Sequence, residues 1–277
     1  MKKFKNLLIA ALAAGMIFSL SACGSGSADN GSAADAASVK GETFKAALEP
    51  TFPPFDTTDD NGKLTGLDVD LVNAIAEDQG FTVEWENLQF DGLIPALQAG
   101  NIDIIASGMS INEKREKQVD FSDPYYDSGL VVAVAADNTT IKGEDDLTPE
   151  MKVAAQIGTT GAQEAQELKA AGKIADVIIL PQLDTAMLQL INGDVDAVIN
   201  DKPVTEAYIS KQQDKIKMVG EVINADSYGI AVQKGNKALQ AALNEGLQHI
   251  KDTGTYDELV SQWFNDTSSL AEEGSAS

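Results

Sequence analysis

Strand-like and helix-like patterns alternate along residues 41–266, and this alternation restricts the fold more than any other feature of the sequence. An apolar run at 44–48 predicts a strand, and 67–79 has a helical pattern that Gly80 ends. Further strands are predicted at 81–85, 103–106, 152–156, 177–180 and 197–200, and further helices at 91–100, 161–172, 185–192, 237–251 and 256–264. Strands that alternate with helices indicate an α/β fold with mostly parallel sheets.

The region 41–266 is long for one compact core and suits two lobes. A faint internal repeat points the same way, since a predicted helix end, a glycine and a buried strand recur with Gly100 and Asp103, then with Gly193 and Asp196. In open α/β sheets, ligands bind at the carboxyl ends of the strands. Those ends are residues 107–110 and 200–201.

The first residues have the form of an export signal. A basic start precedes a short apolar run and then Leu20-Ser21-Ala22-Cys23. The run is shorter than the ~20 apolar residues of a membrane span. The tetrapeptide resembles a bacterial lipobox, which implies a cleaved signal peptide at 1–22 and a lipid anchor, with palmitate among its acyl groups, at Cys23. An ordinary signal peptide with a chance cysteine is the alternative.

The segments that flank the folded region are small and polar. Residues 23–40 are rich in Gly, Ser, Ala and Asp and lack apolar periodicity, which predicts a flexible tether. Residues 267–277 have a similar character and predict a disordered tail. Cys23 is the single cysteine of the chain, so neither a disulfide nor a multi-cysteine zinc site is expected.

The charge of the chain excludes some partners. The formal net charge is −23 at pH 7, and loss of the lysine-containing leader makes it more negative. Nucleic acid is not expected as a partner, because its binding needs basic patches. An acidic surface should not adhere to anionic lipid either, so membrane attachment is expected through the lipid on Cys23. A monomer is expected.

A dense set of motifs begins at residue 107. Ser107-Gly108-Met109-Ser110-Ile111-Asn112-Glu113-Lys114-Arg115 is followed by Val119-Asp120-Phe121-Ser122-Asp123-Pro124-Tyr125. Others are Thr51-Phe52-Pro53-Pro54-Phe55, Gly66-Leu67-Asp68-Val69-Asp70-Leu71, Phe90-Asp91-Gly92-Leu93-Ile94-Pro95-Ala96-Leu97, Gly158-Thr159-Thr160, Gly193-Asp194-Val195-Asp196 and Tyr228-Gly229-Ile230-Ala231-Val232. In order and spacing, across residues 42–265, the chain resembles the bacterial extracellular solute-binding proteins of family 3, the receptors of polar amino-acid ABC importers.

This resemblance implies a two-lobed periplasmic-binding-protein-like fold of type II, in which a two-strand hinge joins two α/β lobes. Lobe 1 would comprise residues 41–128 and 228–266, and lobe 2 residues 132–224. The chain would cross between the lobes near 129–131 and again near 225–227. Two crossings permit the lobes to close on a ligand by a hinge motion.

The resemblance assigns Arg115 to the α-carboxylate of a bound amino acid. A planar guanidinium suits this role, because it forms two parallel hydrogen bonds with a carboxylate. Ser110 would add its hydroxyl or amide, Gly108 would let the backbone approach closely, and Ser107 would offer its carbonyl or hydroxyl to the ammonium. Asn112, where the family usually has Thr, is expected to cap the helix of Arg115. A solvated helix charge is the alternative for Arg115.

From lobe 2, the resemblance assigns Thr159 and Thr160 to the same carboxylate. They precede a predicted helix, and amides at a helix N-terminus bind anions. A plain capping turn is the alternative. Asp201 matches the acidic residue that takes the α-ammonium, and it should be paired when buried because an isolated buried carboxylate is costly. The alternative for Asp201 is a surface-loop position.

Three residues are assigned to the ligand side chain. Phe52 and Phe90 match the aromatic positions that enclose it, whereas Phe55 is assigned to the core. Glu49 lies where many relatives have Asp, and it would pair with a basic side chain or accept from an amide. The motifs offer no extra basic residue for an acidic side chain, which disfavours glutamate and aspartate. Glutamine-like and basic amino acids remain open, and so does cystine.

The implied function is capture of a polar or basic L-amino acid, by closure of the cleft, and its delivery to an ABC-transporter permease. The protein would work outside the cytoplasm, anchored by lipid to the outer face of the cell membrane. Neither catalysis nor a cofactor is expected. One alternative is a cleft enzyme of the same fold, a dehydratase or lyase, for which Glu49 is the candidate acid or base. The other is a ligand-sensing receptor module.

Two further signals are weak. Asp59, Asn61 and Asp68 have nearly the spacing of a calcium loop, but the first Asp and the terminal Glu are missing. The Asn61-Gly62 pair predicts a hairpin turn instead, since it readily adopts positive φ angles, and no metal site is expected. His249 is the single histidine and is expected at the surface, so a His-based nucleophilic triad is excluded.

Overall fold

The computed structural model describes residues 39–212 and 214–273, with side chains described as far as residue 264. The strands are β1 (Thr43–Leu48), β2 (Thr57–Thr58), β3 (Leu64–Thr65), β4 (Thr82–Asn87), β5 (Ile104–Ile105), β6 (Val119–Phe121), β7 (Tyr126–Ala135), β8 (Lys152–Gln156), β9 (Asp176–Leu180), β10 (Ala197–Asp201), β11 (Ile216–Val219), β12 (Ala225–Tyr228) and β13 (Ala231–Gln233). The α-helices are α1 (Leu67–Gln79), α2 (Phe90–Gln98), α3 (Glu113–Glu116), α4 (Thr160–Ala170), α5 (Leu183–Asn192), α6 (Lys202–Lys211), α7 (Lys237–Asp252) and α8 (Thr255–Glu273).

The first sheet has five strands in the order β4-β1-β5-β13-β6. β1 is parallel to β4 and β5, whereas β13 is antiparallel to β5 and β6. α1 packs beside α7 and buries a stripe of apolar residues, Leu67, Leu71 and Ile75, at the spacing of a helix with one core-facing side. Gly80 ends α1 in the left-handed conformation that glycine adopts without strain.

The second sheet has six strands, with the order β11-β7-β10-β8-β9 and β12 added to β7. β8 is parallel to β9 and β10, and β7 is antiparallel to β10 and β11. α4 lies so close to β10 that a Cβ atom on Gly161 would come within 2.5 Å of the Ile199 carbonyl oxygen. Both sheets are therefore mixed, with parallel strands nearest the predicted cleft residues.

The two sheets belong to two lobes, and β7 and β12 connect them. These strands pair antiparallel, with Gly129 opposite Ala225 and Tyr126 opposite Tyr228. Beside them the Phe264 ring stacks on Tyr126, with ring centroids 5.0 Å apart. A pair of neighbouring strands is the two-strand hinge that the sequence predicts. The residue boundaries proposed for the lobes stay a prediction.

The internal repeat corresponds to the same local structure in both lobes. The Asp103 carboxylate accepts a hydrogen bond from the backbone amide of Lys45, 2.9 Å away, and the Asp196 carboxylate accepts one from Lys152, 2.7 Å away. Each Asp stands just before a central strand and ties it to its parallel neighbour. The similarity is therefore structural rather than a chance match of letters.

The structure differs from the sequence predictions at several boundaries. Val39, assigned to the tether, is buried in the first core with 3% exposure, because an apolar residue gains by joining that core. α8 continues to Glu273, where a tail was expected from residue 267. α2 spans Phe90–Gln98, where a helix was predicted at 91–100, so Asp91 lies in its first turn and Gln89 is its N-cap. The proposed signal peptide, Cys23 and residues 274–277 lie outside the described residues.

Candidate functional site

Arg115 lies in α3, a short helix of lobe 1, and only 6% of its surface is exposed. Asn112 precedes the helix, and its side-chain oxygen accepts a hydrogen bond from the Arg115 amide, 3.0 Å away. The predicted cap is therefore present, and it fixes the backbone from which the arginine projects.

The guanidinium of Arg115 contacts both lobes. Nη1 donates to the Ser110 carbonyl oxygen at 2.7 Å, and Nη2 donates to the Gly158 carbonyl oxygen at 3.1 Å. The Phe90 ring centre lies 5.3 Å from the guanidinium carbon, within the range of a cation–π interaction. An arginine has five N–H donors, so a buried, positively charged group with further donors is available to an anion.

Asp201 supplies a buried group of opposite charge from lobe 2. It ends β10, is 5% exposed, and accepts a hydrogen bond from the Tyr228 hydroxyl at 2.7 Å. Burial raises the pKa of Asp201 to about 7, with a further contribution from Asp226, while the Tyr228 bond and Arg115 act in the opposite direction. Burial likewise lowers the pKa of Arg115, against the attraction of Asp201.

The segment after β5 packs tightly against Phe52. Gly108 has φ +49°, and a Cβ atom there would lie 2.5 Å from the Phe52 ring. Its amide donates to the Asp68 carboxylate at 2.7 Å, so this amide is not free for a ligand. Ser107 is 1% exposed and its hydroxyl accepts from the Glu49 amide at 3.0 Å. Ser110 is 2% exposed and forms a backbone bridge with Tyr228.

The three aromatic residues are all buried, Phe52 and Phe55 in one apolar core and Phe90 in another. Phe55 is fully buried and makes edge-to-face contacts with Tyr126, Tyr228 and Phe264. Phe52 covers Gly108 instead, and Phe90 lies beneath the Arg115 guanidinium.

Thr159 is the N-cap of α4. Its hydroxyl accepts from the Ala162 amide at 3.0 Å and donates to the Gln156 carbonyl oxygen at 2.7 Å. The side chain thus makes the capping turn that was the alternative for this residue. Thr160 and Gly161 follow in the first turn, where backbone amides have no acceptor within the helix. Anion binding by this segment would use those amides.

Glu49 follows β1 and is 2% exposed. Its Oε2 accepts from the Thr51 hydroxyl at 2.7 Å and from the Gln156 side-chain amide at 3.0 Å. Its Oε1 is buried without a hydrogen-bond partner among the described residues. A buried carboxylate oxygen without a partner is costly, which makes this atom a strong acceptor for a group that enters the cleft.

Sequence reasoning did not identify several residues of this region. Gln156 ends β8, so the rule that ligands bind at carboxyl ends of strands could have found it. Thr51 and Tyr228 begin two of the motifs but received no role from the sequence, and Tyr208 and Asp226 carry no such signal. Their contacts join segments that are distant along the chain, and a single sequence does not show which segments meet.

A cavity of about 310 Å³ lies beside the Arg115 guanidinium, with Phe90 on one side and Thr159 and Thr160 on the other. A second cavity, of about 500 Å³, is bordered by Thr160 and Asp226. The remaining predicted site residues border neither cavity: Glu49, Phe52, Ser107, Gly108, Ser110 and Asp201. The lobes touch across the cleft, and these residues are buried beneath the contact.

Two further observations concern the described residues only. No three His, Cys, Asp or Glu side chains within that part of the chain are grouped so as to hold a metal ion. No described helix combines the length and apolar character that crossing a bilayer requires.

The family model for bacterial extracellular solute-binding proteins, family 3, matches residues 44–266. This chain belongs to that family. The putative ABC transporter arginine-binding protein 2 of Escherichia coli (strain K12) is 35% identical over 268 residues, covering 94% of this chain and 99% of the relative.

Solved structures of the family agree with the fold. An ancestral arginine-binding protein bound to arginine is 42% identical, with a TM-score of 0.77 over 82% of this chain and 99% of that one. An ancestral arginine-binding protein bound to glutamine is 43% identical, with a TM-score of 0.75 over 80% of this chain and 97% of that one. The two-lobed fold of the solute-binding family is thus the fold of this chain.

Proposed function

We propose that this protein is the substrate-binding lipoprotein of an amino-acid ABC transporter. The observation that carries the proposal is the burial of two opposite charges near each other, the Arg115 guanidinium of lobe 1 and the Asp201 carboxyl group of lobe 2, each of which has its own hydrogen-bond partners. Both are buried, opposite in charge and close enough to shift each other's pKa. An amino-acid zwitterion carries the matching charges, a carboxylate for Arg115 and an ammonium for Asp201.

In this proposal the ligand α-carboxylate binds the Arg115 guanidinium, where the planar fork provides two parallel hydrogen bonds. Ser110 lies against the same arginine, and the first-turn amides of α4, at Thr160, approach from lobe 2. The α-ammonium binds Asp201. Its positive charge replaces a proton on a carboxyl group whose pKa burial has raised to about 7.

The ligand side chain is proposed to reach Glu49. Its unpartnered Oε1 needs a donor, and a guanidinium, an ammonium or a carboxamide provides one, whereas an acidic side chain adds a second buried negative charge. Ancestral arginine-binding proteins have been solved with arginine and with glutamine, and both of these ligands have N–H donors on their side chains. This supports a ligand of that kind here. We therefore place basic amino acids first and glutamine-like ones second.

Closure converts binding into a signal for the permease. The amino acid gains contacts from both lobes only when the cleft is shut, so its differential affinity shifts the population to the closed state. The closed pair of lobe faces would then be presented to the permease. The hinge strands pair over only four residues each, 126–129 of β7 and 225–228 of β12, which suits a rigid rotation of one lobe against the other.

Membrane attachment is proposed through lipid on Cys23, in a monomeric protein at the outer face of the cell membrane. The lipobox-like Leu20-Ser21-Ala22-Cys23 supports this. Palmitate labelling of the expressed chain tests it, since Cys23→Ser should lose the label and be released into the soluble fraction.

Binding without catalysis is proposed as the activity. The candidate acid or base, Glu49, has its Oε2 held by Thr51 and Gln156. An enzyme of this fold would need that carboxyl group to exchange a proton with substrate, whereas a fixed acceptor suits recognition.

A thermal-shift panel of the twenty amino acids with ornithine and cystine tests the proposal. A ligand at 100 times its dissociation constant adds ~2.7 kcal/mol to the free energy of unfolding. Arg115→Ala should abolish the shift, and Arg115→Lys should lose most of it, because an ammonium lacks the planar fork. A panel in which no amino acid stabilises the protein contradicts the proposed function.

A further inference from the structure

Thr51 joins the two lobes through one hydroxyl group. Oγ1 accepts a hydrogen bond from the Leu183 backbone amide at 3.2 Å and donates its hydrogen to Glu49 Oε2 at 2.7 Å. A hydroxyl has one hydrogen and two lone pairs, so both bonds form together. Thr51 and Glu49 follow β1 in lobe 1, whereas Leu183 begins α5 in lobe 2.

The first amide of α5, that of Leu183, has its acceptor outside the helix, on Thr51. The N-cap residue of α5, Gln182, makes no side-chain capping bond. First-turn amides have no acceptor within the helix, and a hydroxyl oxygen is a preferred acceptor for them. Thr51 fills that role from the opposite lobe, and the cap exists only while the lobes are together.

Two more bonds reach the same place from lobe 2. The Tyr208 hydroxyl donates to the Thr51 carbonyl oxygen at 3.1 Å, and the Gln156 amide donates to Glu49 Oε2 at 3.0 Å. In each of these contacts the donor belongs to lobe 2 and the acceptor to lobe 1. Separation of the lobes breaks all of them.

We infer that Thr51 is a positioning residue that latches the lobes together and aims Glu49 at the ligand. With Oε2 of Glu49 held by Thr51 and Gln156, only Oε1 is left for the ligand side chain. The latch is the set of hydrogen bonds among Glu49, Thr51, Gln156, Leu183 and Tyr208. This inference rests on the proposed function, because it assigns the ligand side chain to Glu49.

The two roles of Thr51 have different signatures in binding. The apparent dissociation constant is the intrinsic one divided by the fraction of binding-competent protein. Weakening closure therefore raises the dissociation constant of every ligand by the same factor. Misplacing the Glu49 carboxylate instead penalises a cationic side chain more than a neutral one, because the cation depends more on that charge.

Three variants separate these effects. Tyr208→Phe removes one bond of the latch without touching Glu49. Thr51→Val removes the hydroxyl from both roles, and Thr51→Ser keeps it. Tyr256→Phe is the matched control, because the Tyr256 hydroxyl also donates to a backbone carbonyl, that of Tyr125, within lobe 1.

The experiment measures arginine and glutamine affinities by titration calorimetry, and amide hydrogen exchange of α5 in the unliganded full chain. Tyr208→Phe should raise both dissociation constants about fivefold, the equivalent of one hydrogen bond, and leave their ratio unchanged. Thr51→Val should raise both, should raise that of arginine more, and should speed exchange at Leu183. Thr51→Ser and Tyr256→Phe should behave like the wild type.

The latch is overturned by one combined result. In that result, Thr51→Val and Tyr208→Phe bind both ligands within twofold of Tyr256→Phe, and amide exchange at Leu183 is unchanged. The proposed function is tested by the wild type alone. If the wild type binds neither probe, the proposed ligand class is wrong. The exchange rates of Thr51→Val and Thr51→Ser then still decide whether Thr51 caps α5 across the cleft.

Discussion

The hydroxyl of Tyr228 donates to Oδ2 of Asp201 across 2.7 Å, and this bond ties the proposed ammonium site to the hinge. Tyr228 ends the hinge strand β12 and forms a backbone bridge with Ser110, beside the proposed carboxylate site. Its hydroxyl in turn accepts from Ser128 on the other hinge strand at 3.0 Å. One tyrosine therefore positions both ends of the amino-acid clamp relative to the axis of closure.

The state of Asp201 makes binding depend on pH. Its pKa is raised to about 7 by burial in the protein without ligand, and only the ionised form pairs with an ammonium. Amino-acid affinity should therefore level off near pH 8, where Asp201 is ionised and the ligand ammonium still carries its proton, and fall up to tenfold per pH unit below about pH 7, where binding releases one proton. Titrations between pH 5 and 9 measure this. Asp201→Asn should bind weakly and lose the dependence, and a flat wild-type profile contradicts the assignment.

A buried acidic pair, Asp56 and Asp68, lies beside Ser107 and Gly108. Asp56 is fully buried, and neither carboxyl oxygen has a hydrogen-bond partner in the described structure. Burial raises its pKa first, and repulsion by Asp68 and Glu49 adds to that. The pKa of Asp68 is itself raised to about 7 by burial. In the folded protein this pair binds protons that the unfolded chain releases near pH 4.

Stability should therefore change with pH in a defined direction. A raised pKa in the folded state means that the free energy of unfolding falls as pH rises from about 4 through 7. Asp56→Asn removes one titrating charge with little change of shape. We expect the variant to lose less stability than the wild type between pH 5 and 8, and to exceed it by about 1–3 kcal/mol at pH 8. Urea denaturation at both pH values measures this, and parallel losses would contradict it.

Local features of the fold follow from local sequence. The α1 prediction and its glycine stop match the structure, because apolar spacing and a left-handed Gly80 act within a few residues. β8 is also found at its predicted residues. The hairpin between β2 and β3 forms as predicted, with the Asp59 carboxylate accepting from the Asn61 and Lys63 amides. Each of these signals depends on backbone chemistry that neighbouring residues complete.

The parts of the site that a sequence does not reveal are the contacts between distant segments. Arg115, Asp201 and Glu49 could be proposed because motif order resembles a family. Their hydrogen bonds with Tyr228 and Gln156 could not be predicted, since those bonds depend on how strands from two lobes meet. Val39 shows the same limit at the start of the folded region. It is an apolar residue in a polar segment, and the composition of that segment does not indicate that Val39 joins the core.

Gly108 is required by both backbone and packing. Its φ is +49°, and an added Cβ would lie 2.5 Å from the Phe52 ring. Gly108→Ala should displace Phe52 and weaken amino-acid binding at least tenfold, beyond a loss of about 1–3 kcal/mol of stability. Gly100→Ala is the control, because Gly100 has φ +71° with nothing within 4 Å. Gly100→Ala should lower the stability and leave the affinity for the amino acid unchanged. Equal affinities of Gly108→Ala and Gly100→Ala would contradict the packing argument.

The cap of α3 links a small helix to ligand affinity. α3 is a single turn, and the Asn112 side chain accepts from the amide of Arg115 itself. Asn112→Ala removes that acceptor at a cost of about 1 kcal/mol, so it should weaken amino-acid binding about fivefold through the placement of the guanidinium. Asn112→Thr should keep most of the affinity, because its hydroxyl can accept the same bond.

A remote cap provides the control for that prediction. Asn236 caps α7 by accepting from the Leu239 amide at 3.3 Å, away from the proposed clamp. Asn236→Ala should lower the melting temperature to a similar extent as Asn112→Ala and leave the dissociation constant unchanged. If both alanine variants bind as the wild type does, the cap stabilises α3 without aiming Arg115, because the orientation of the guanidinium is then set by the Ser110 and Gly158 carbonyl groups alone.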